Sequence, residues 1–240
     1  MQKILAIVTA RGGSKRIPKK GIAELCGRPM MAYALEALKK SKLVNRIIVD
    51  TDDEEMAEVG RQNGAEIPFL RPKELAGDST GHVPVLKYAL QTLKDKDGYW
   101  PDAVVLIQPT SPLVQPEHID DALKLLLENP ELDSVETIFE VPTIFHPYNE
   151  RFIDEDGFTK FVMQKERAEA ARTGKRPKIF TIGTVYIFRP ETLWKYGTIQ
   201  GEKSKSIIID KKYAVDVDEP LDLVIASAMM KWIAGSNSRE

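Results

Sequence analysis

Ile4-Leu5-Ala6-Ile7-Val8, followed closely by Ala10-Arg11-Gly12-Gly13-Ser14-Lys15-Arg16-Ile17-Pro18-Lys19-Lys20-Gly21, is the stretch that decides the fold. Five consecutive apolar residues read as a strand buried on both faces, the pattern of a parallel sheet. A glycine-rich turn then opens onto Arg11, Lys15, Arg16, Lys19 and Lys20. Gly12 and Gly13 let backbone N–H groups approach an anion unobstructed, and the cations supply the charge that a polyphosphate needs. Pro18 stiffens the loop. Neither Gly-x-x-x-x-Gly-Lys-Ser/Thr nor Gly-x-Gly-x-x-Gly occurs at this turn, so two common phosphate loops are excluded. A merely solvated basic loop is the competing reading. Its place after the first buried strand argues against that, because open α/β sheets bind ligands beyond the carboxyl ends of their strands.

Strands and helices alternate outward from this point. Helical spacing covers Pro29 to Lys40, Asp53 to Asn63 with Gly64 as the stop, Val83 to Lys94, and Pro116 to Glu128. Strands are expected at 46–52, 65–70, 103–107 and 134–140. This rhythm predicts an α/β fold with a mostly parallel sheet and right-handed crossovers. It breaks over residues 141–178, a Pro- and charge-rich stretch too long for an ordinary loop. A hairpin is expected there, with strands 151–153 and 158–162. The stretch reads as an inserted arm whose apolar side chains a partner subunit would cover. The rhythm resumes with strands at 184–188 and 206–210, a short helix at 190–196, and a terminal helix from Pro220 to about Ile233. Gly235 to Glu240 reads as a frayed tail. No linker is evident, so residues 1–240 read as a single domain carrying the arm.

The 240 residues carry a formal net charge of −2, which gives no general attraction to nucleic acid or to an anionic membrane. The single cysteine, Cys26, excludes an internal disulfide and suits a reducing, cytoplasmic setting. No apolar run approaches the roughly 20 residues of a membrane helix.

Asp216 and Asp218 form a second constellation. Two apart in an extended segment, they share a face, and hard oxygen ligands so placed suit Mg²⁺ together with substrate phosphates. The competing reading makes Asp218 the cap of the helix that begins near Pro220. Gln108-Pro109-Thr110-Ser111-Pro112-Leu113 ends the central strand. Its prolines fix the backbone while Gln108, Thr110 and Ser111 offer neutral groups for a substrate's hydroxyls; a rigid helix-capping turn is the alternative. Arg71-Pro72 offers a base or phosphate contact, or a surface arginine. Cys26 has no evident base, and His82, His118 and His146 lack metal-ligand spacing, so nucleophilic and zinc chemistry are disfavoured.

Four motifs in this order resemble those of the acylneuraminate cytidylyltransferases, the CMP-sialic acid synthetases. They are Ala10-Arg11-x-x-Ser14-Lys15-x-x-Pro18-x-Lys20, Arg71-Pro72-x-Glu74-Leu75-Ala76, Leu106-x-Gln108-Pro109-Thr110-Ser111-Pro112-Leu113 and Asp216-x-Asp218. The resemblance implies a three-layer Rossmann-like nucleotidyltransferase. It implies CTP as donor, a nine-carbon 2-keto sugar acid as acceptor, Mg²⁺ as cofactor and a homodimer joined through the arm. It assigns Arg11, Ser14, Lys15 and Lys20, with the backbone of Gly12 and Gly13, to the triphosphate, and Arg71 to the nucleotide. Gln108, with Thr110 and Ser111, falls to the sugar, and Asp216 and Asp218 to the metal. Arg11, Lys20 and Asp218 become the candidate catalytic residues. Gly21 stands where that family usually has Asn, and Phe180-Thr181-Ile182 replace its usual Arg and Asn before Gly183-x-x-Tyr186. These departures bring in a legionaminic- or pseudaminic-type acid as acceptor. Kdo or another activated sugar, another nucleotide, a glycosyltransferase of similar fold that would use Asp216-x-Asp218 on a nucleotide sugar, and a non-catalytic nucleotide-binding relative are the remaining alternatives. The basic loop, better suited to a triphosphate, disfavours the glycosyltransferase.

Overall fold

A computed structural model describes residues 2–237. After β1 (Ile4–Thr9) the chain crosses the basic loop into a small hairpin, β2 (Glu24–Leu25) and β3 (Arg28–Pro29). Its turn residues Cys26 and Gly27 have φ of 50° and 78°. Positive φ at both positions matches the right-handed twist of the flanking strands. The first crossover then follows as α1 (Met30–Lys40), β4 (Arg46–Asp50) and α2 (Glu54–Gln62). Asp53 caps α2 by accepting from the Met56 amide at 3.0 Å. The strand expected at 65–70 is reduced to one bridge, Ile48 with Glu66. Pro68 has no N–H to extend the ladder.

The second crossover consists of α3 (His82–Asp97), β5 (Ala103–Ile107), α4 (Pro116–Leu127) and β6 (Ser134–Glu140). Within the stretch that follows, β7 (Arg151–Ile153) and β8 (Thr159–Phe161) form the expected hairpin. The next element, α5 (Gln164–Thr173), escaped the sequence reading because it buries no residue and so carries no apolar stripe. The chain closes with β9 (Phe180–Phe188), α6 (Glu191–Tyr196), β10 (Ser204–Ile208) and α7 (Pro220–Asn237). β9 starts four residues earlier than its apolar run suggested, and β10 starts two earlier. Gly235 to Asn237 are helical rather than frayed, and the last three residues of the expected tail lie outside the described residues.

The six strands of the main sheet lie in the order β10-β6-β9-β5-β1-β4. β1 pairs in parallel with both β4 and β5, and β6 pairs in parallel with β10. β9 is the antiparallel exception, set between β5 and β6. Two cores cover the two faces. On one, Ala6, Val8, Val105 and Val185 meet Met31, Leu35 and Leu38 of α1 and Ile119 and Leu123 of α4. On the other, Leu5, Ile7, Leu106 and Phe188 meet Leu86, Leu90 and Leu93 of α3 and Leu193 of α6. This is the three-layer arrangement that alternating elements imply. A third, smaller core joins Ile17 of the basic loop, Leu25, Met30, Val217 and Ala226. It holds the loop after β1 against the segment that leads into α7.

Candidate active site

The loops after β1 and β5 leave the same edge of the sheet, because these strands are parallel neighbours. Between them lies a cavity of about 260 Å³. Arg11, Ser14, Lys20 and Gly21 line it from the first loop, Gln108, Pro109 and Thr110 from the second, and Arg71, Asp78 and His82 from a third side. A neighbouring recess is bounded by Arg11, Ser14, Lys15, Arg16, Lys20 and Asp218.

Asp216 and Asp218 arrive by a specific route. The Val217 amide donates to the Thr110 carbonyl at 2.9 Å, and the Val217 side chain is fully buried. Side chains alternate in an extended segment, so burying Val217 turns both carboxylates the other way. Lys20 Nζ then reaches Asp218 Oδ1 at 2.7 Å. Asp218 is not the helix cap: Asp222 reaches back instead, accepting from the Asp218 and Glu219 amides at 2.8 Å each. The Asp218 side chain is left to the site.

Asp216 makes no ion pair among the described residues. One side of it is open to solvent, but crowding of its carboxyl by protein raises its pKa above the ordinary 3.8, and the charges of Asp218 and Asp222 add to this. The nearby Thr110 hydroxyl and the Lys20 ammonium pull the other way. The Thr110 hydroxyl is nevertheless buried without a hydrogen bond of acceptable geometry, so its support for the carboxylate is weak. No three His, Cys, Asp or Glu side chains gather as a self-sufficient metal cage among the described residues. Two convergent carboxylates, one of them lacking a cation, do fit a divalent ion that takes its other ligands from phosphate and water.

Arg71 is buried rather than a surface arginine. Its Nε donates to Asp50 Oδ1 at 2.7 Å and its Nη2 to the Asp50 carbonyl at 2.8 Å. Burial raises the Asp50 pKa, and the Arg71 charge only partly offsets it. The second oxygen of Asp50 has no hydrogen-bond partner among the described residues. Arg71 thus crosses behind the cavity with its guanidinium plane fixed.

Four predicted residues line neither the cavity nor the recess: Asp216, which stands beside Thr110 and Lys20, and Gly12, Gly13 and Ser111. The Gly12 amide donates to Asp52 Oδ1 at 2.9 Å, which engages it away from the cavity. Gly13 does not line the cavity. Ser111 is buried in the turn after β5, its amide donating to the Gln108 carbonyl at 3.2 Å, and it too stays off the cavity wall. Two histidines are structural. His118 Nδ1 accepts from the Gln115 amide at 3.4 Å at the start of α4, and the ring is half-buried rather than on the surface. His146 is buried, accepting from the Tyr148 amide at 3.1 Å, which leaves Nε2 to donate to the Pro177 carbonyl at 3.1 Å.

The chain matches the cytidylyltransferase family over residues 5–226. It belongs to that family. The post-translational flagellin modification protein B of Campylobacter coli is 30% identical over 232 residues, 96% of this chain and 96% of that protein. The CMP-N,N'-diacetyllegionaminic acid synthase of Legionella pneumophila is 28% identical over 95% of this chain and 97% of its own. A solved CMP:2-keto-3-deoxy-manno-octonic acid synthetase complexed with CTP superposes with a TM-score of 0.70 over 96% of this chain and 99% of its own, at 15% identity. At that identity the likeness speaks for the fold alone.

This cytidylyltransferase also lines its cavity with residues that sequence reasoning missed: Asp78, Thr80, Gly81 and His82. The polar run before α3 is their one sequence signal, and it reads as an ordinary helix start. Burial, then the nearby Arg71 charge, lowers the His82 pKa below 6.5, which favours a neutral ring at neutral pH. Gly21 is buried, and a Cβ there would come within 3.3 Å of Ala10 Cβ and 3.6 Å of both Met31 Cε and Met56 Sδ.

Proposed function

We propose that this chain activates a nine-carbon 2-keto sugar acid with CTP, giving the CMP-sugar and pyrophosphate. One observation carries the reading: Lys20, in the cationic loop after β1, meets the carboxylate Asp218, 198 positions away, beside the ends of the parallel strands β1 and β5. A triphosphate needs that combination of positive charge and metal-ligating carboxylate. The Legionella pneumophila relative is by name a synthase of the CMP-linked form of such an acid, which supports the acceptor.

In the reaction the anomeric hydroxyl oxygen of the acceptor bonds to the α-phosphorus and gives up its proton to water, while the bond from that phosphorus to the bridging oxygen breaks and pyrophosphate leaves with the electron pair. Arg11, Lys15 and Lys20 stabilise the charge that accumulates on the departing pyrophosphate. Ser14 donates to phosphate oxygens. Gln108 and Thr110 orient the acceptor, and Arg71 and His82 bound the nucleotide end of the cavity. Asp216 and Asp218 would hold Mg²⁺, which when bound would neutralise phosphate charge and polarise a hydroxyl. The protein's work is chiefly positioning and neutralisation.

The exposed apolar groups of the arm, Ile144 at 71%, Ile153 at 73% and Phe158 at 67% exposure, support a homodimer formed through it. We place the reaction in the cytoplasm, with CTP and the one exposed thiol. The test is pyrophosphate release with CTP, UTP, GTP and ATP against a panel of legionaminic, pseudaminic, N-acetylneuraminic and Kdo acids. Release with CTP and a nine-carbon acid is expected. No release with any pair would overturn the reading.

A further inference from the structure

The turn before α3 carries a carboxylate into the phosphate-binding cations. Arg11 Nη1 lies 2.8 Å from Asp78 Oδ1, and Lys15 Nζ lies 2.6 Å from Asp78 Oδ2. Each oxygen of Asp78 thus neutralises one cation of the loop after β1. Among the described residues Arg11 and Lys15 are the only ion-pair partners of Asp78. Lys15 holds the Asp78 pKa below its ordinary value, with Arg11 a smaller cause, so the group is a full anion at neutral pH. The turn itself is closed by one backbone bond, the Thr80 amide to the Gly77 carbonyl at 3.1 Å.

We propose that Asp78 is a resident competitor for phosphate: in the free protein it occupies the positions on Arg11 and Lys15 that the triphosphate takes. This rests on the nucleotide reading of the cavity. Both cations and Asp78 are partly open to water, so the pairs are weak and exchangeable. A triphosphate brings several charges to the same donors and displaces one carboxylate. The arrangement keeps Arg11 and Lys15 folded over the cavity while discouraging weakly charged anions. Its consequence is selectivity: a lone orthophosphate gains too little to evict Asp78, whereas a polyphosphate chain gains enough. Asp78 acts through Arg11 and Lys15 and is a positioning residue.

The experiment is calorimetric titration of the wild type, Asp78→Asn and Asp78→Glu with tripolyphosphate, orthophosphate and CTP. Asp78→Asn keeps the shape and removes the charge. It is expected to bind tripolyphosphate and CTP about three- to tenfold more tightly, the scale of one or two exposed ion pairs. Orthophosphate binding should gain by a larger factor, narrowing the preference for polyphosphate, and KM for CTP should fall with the CTP affinity. Asp78→Glu should return affinity toward wild type. Unchanged or weaker binding by a folded Asp78→Asn variant would overturn the proposal, since a purely organising carboxylate predicts weakening. If the wild type binds CTP while Asp78→Asn shows no gain, only this inference fails. If the wild type binds neither CTP nor tripolyphosphate, the nucleotide reading fails with it.

Discussion

Lys20 Nζ and Asp218 Oδ1 stand 2.7 Å apart although 198 positions of sequence separate them. The pair ties the loop after the first strand to the segment before the last helix. It also brings a cation beside one of two carboxylates that lie close together. Two neighbouring carboxylates repel, and Lys20 offsets that repulsion only in part, which leaves room for a further cation.

Lys20→Ala removes a cation from the cavity and leaves Asp218 without its partner. Loss of a hydrogen bond to a charged group is worth about 1.5–3 kcal/mol, so kcat/KM for CTP should drop by roughly one to two orders of magnitude. The far-ultraviolet spectrum should be unchanged. Turnover within twofold of wild type would remove the basic loop from the mechanism.

Asp216→Asn and Asp218→Asn should each move the Mg²⁺ dependence of pyrophosphate release to higher concentrations, and chelation should silence the wild type. The raised Asp216 pKa gives the pH dependence its sign. Its carboxylate form, the form able to bind a metal, is lost on acidification at a higher pH than for an ordinary aspartate. Apparent Mg²⁺ affinity should therefore weaken early on the acid side. A pH-independent metal affinity across the acid range would count against Asp216 as a ligand.

Arg71→Ala strands Asp50, which is fully buried. Removing one partner of a buried pair costs about 3–5 kcal/mol, visible as a lower denaturant midpoint. The sign with pH follows from linkage. The Asp50 pKa is already raised by burial, so the native state holds its proton more strongly than the unfolded chain does. Without Arg71 that pKa rises further. The variant's deficit should thus shrink as pH falls through the acid range, and a deficit that grew instead would contradict the assignment.

Gly183→Ala would place a Cβ 2.5 Å from Thr137 Oγ1 and 2.8 Å from the Thr137 carbonyl. That hydroxyl already accepts from the Thr184 and Val185 amides at 2.9 and 3.0 Å, at the register shift between β6 and β9. Overpacking of this kind costs about 1–3 kcal/mol, and the melting temperature should fall by several degrees. Full stability would mean that the two strands can part there.

Replacing both Ile153 and Phe158 with Asp should convert the protein to monomers in sedimentation if the arm forms the interface. Both residues are more than half exposed and support no core, so the fold should survive. Dimers that persist unchanged would move the interface elsewhere.

The sequence by itself determined the sheet and the edge at which its clustered cations gather. Continuous apolar runs such as Ile4 to Val8 and Ala103 to Ile107 can be buried only between two helical layers, and glycine with clustered cations at the end of the first run marks the ligand side. It also singled out Arg11, Lys20, Gln108 and Thr110, which the fold gathers around one cavity. Only the tertiary structure decided which partner each charge meets. Periodicity fixes the face a residue occupies but says nothing of contacts between distant segments. That Asp218 joins Lys20 while Asp222 caps the helix, that Asp78 closes over Arg11 and Lys15, and that Arg71 is buried on Asp50 all depend on loops packed by long-range cores. The antiparallel entry of β9 and the solvent-bathed helix α5 were hidden for a related reason. Strand direction leaves no mark on an apolar run, and a helix with no buried face leaves no apolar period to read.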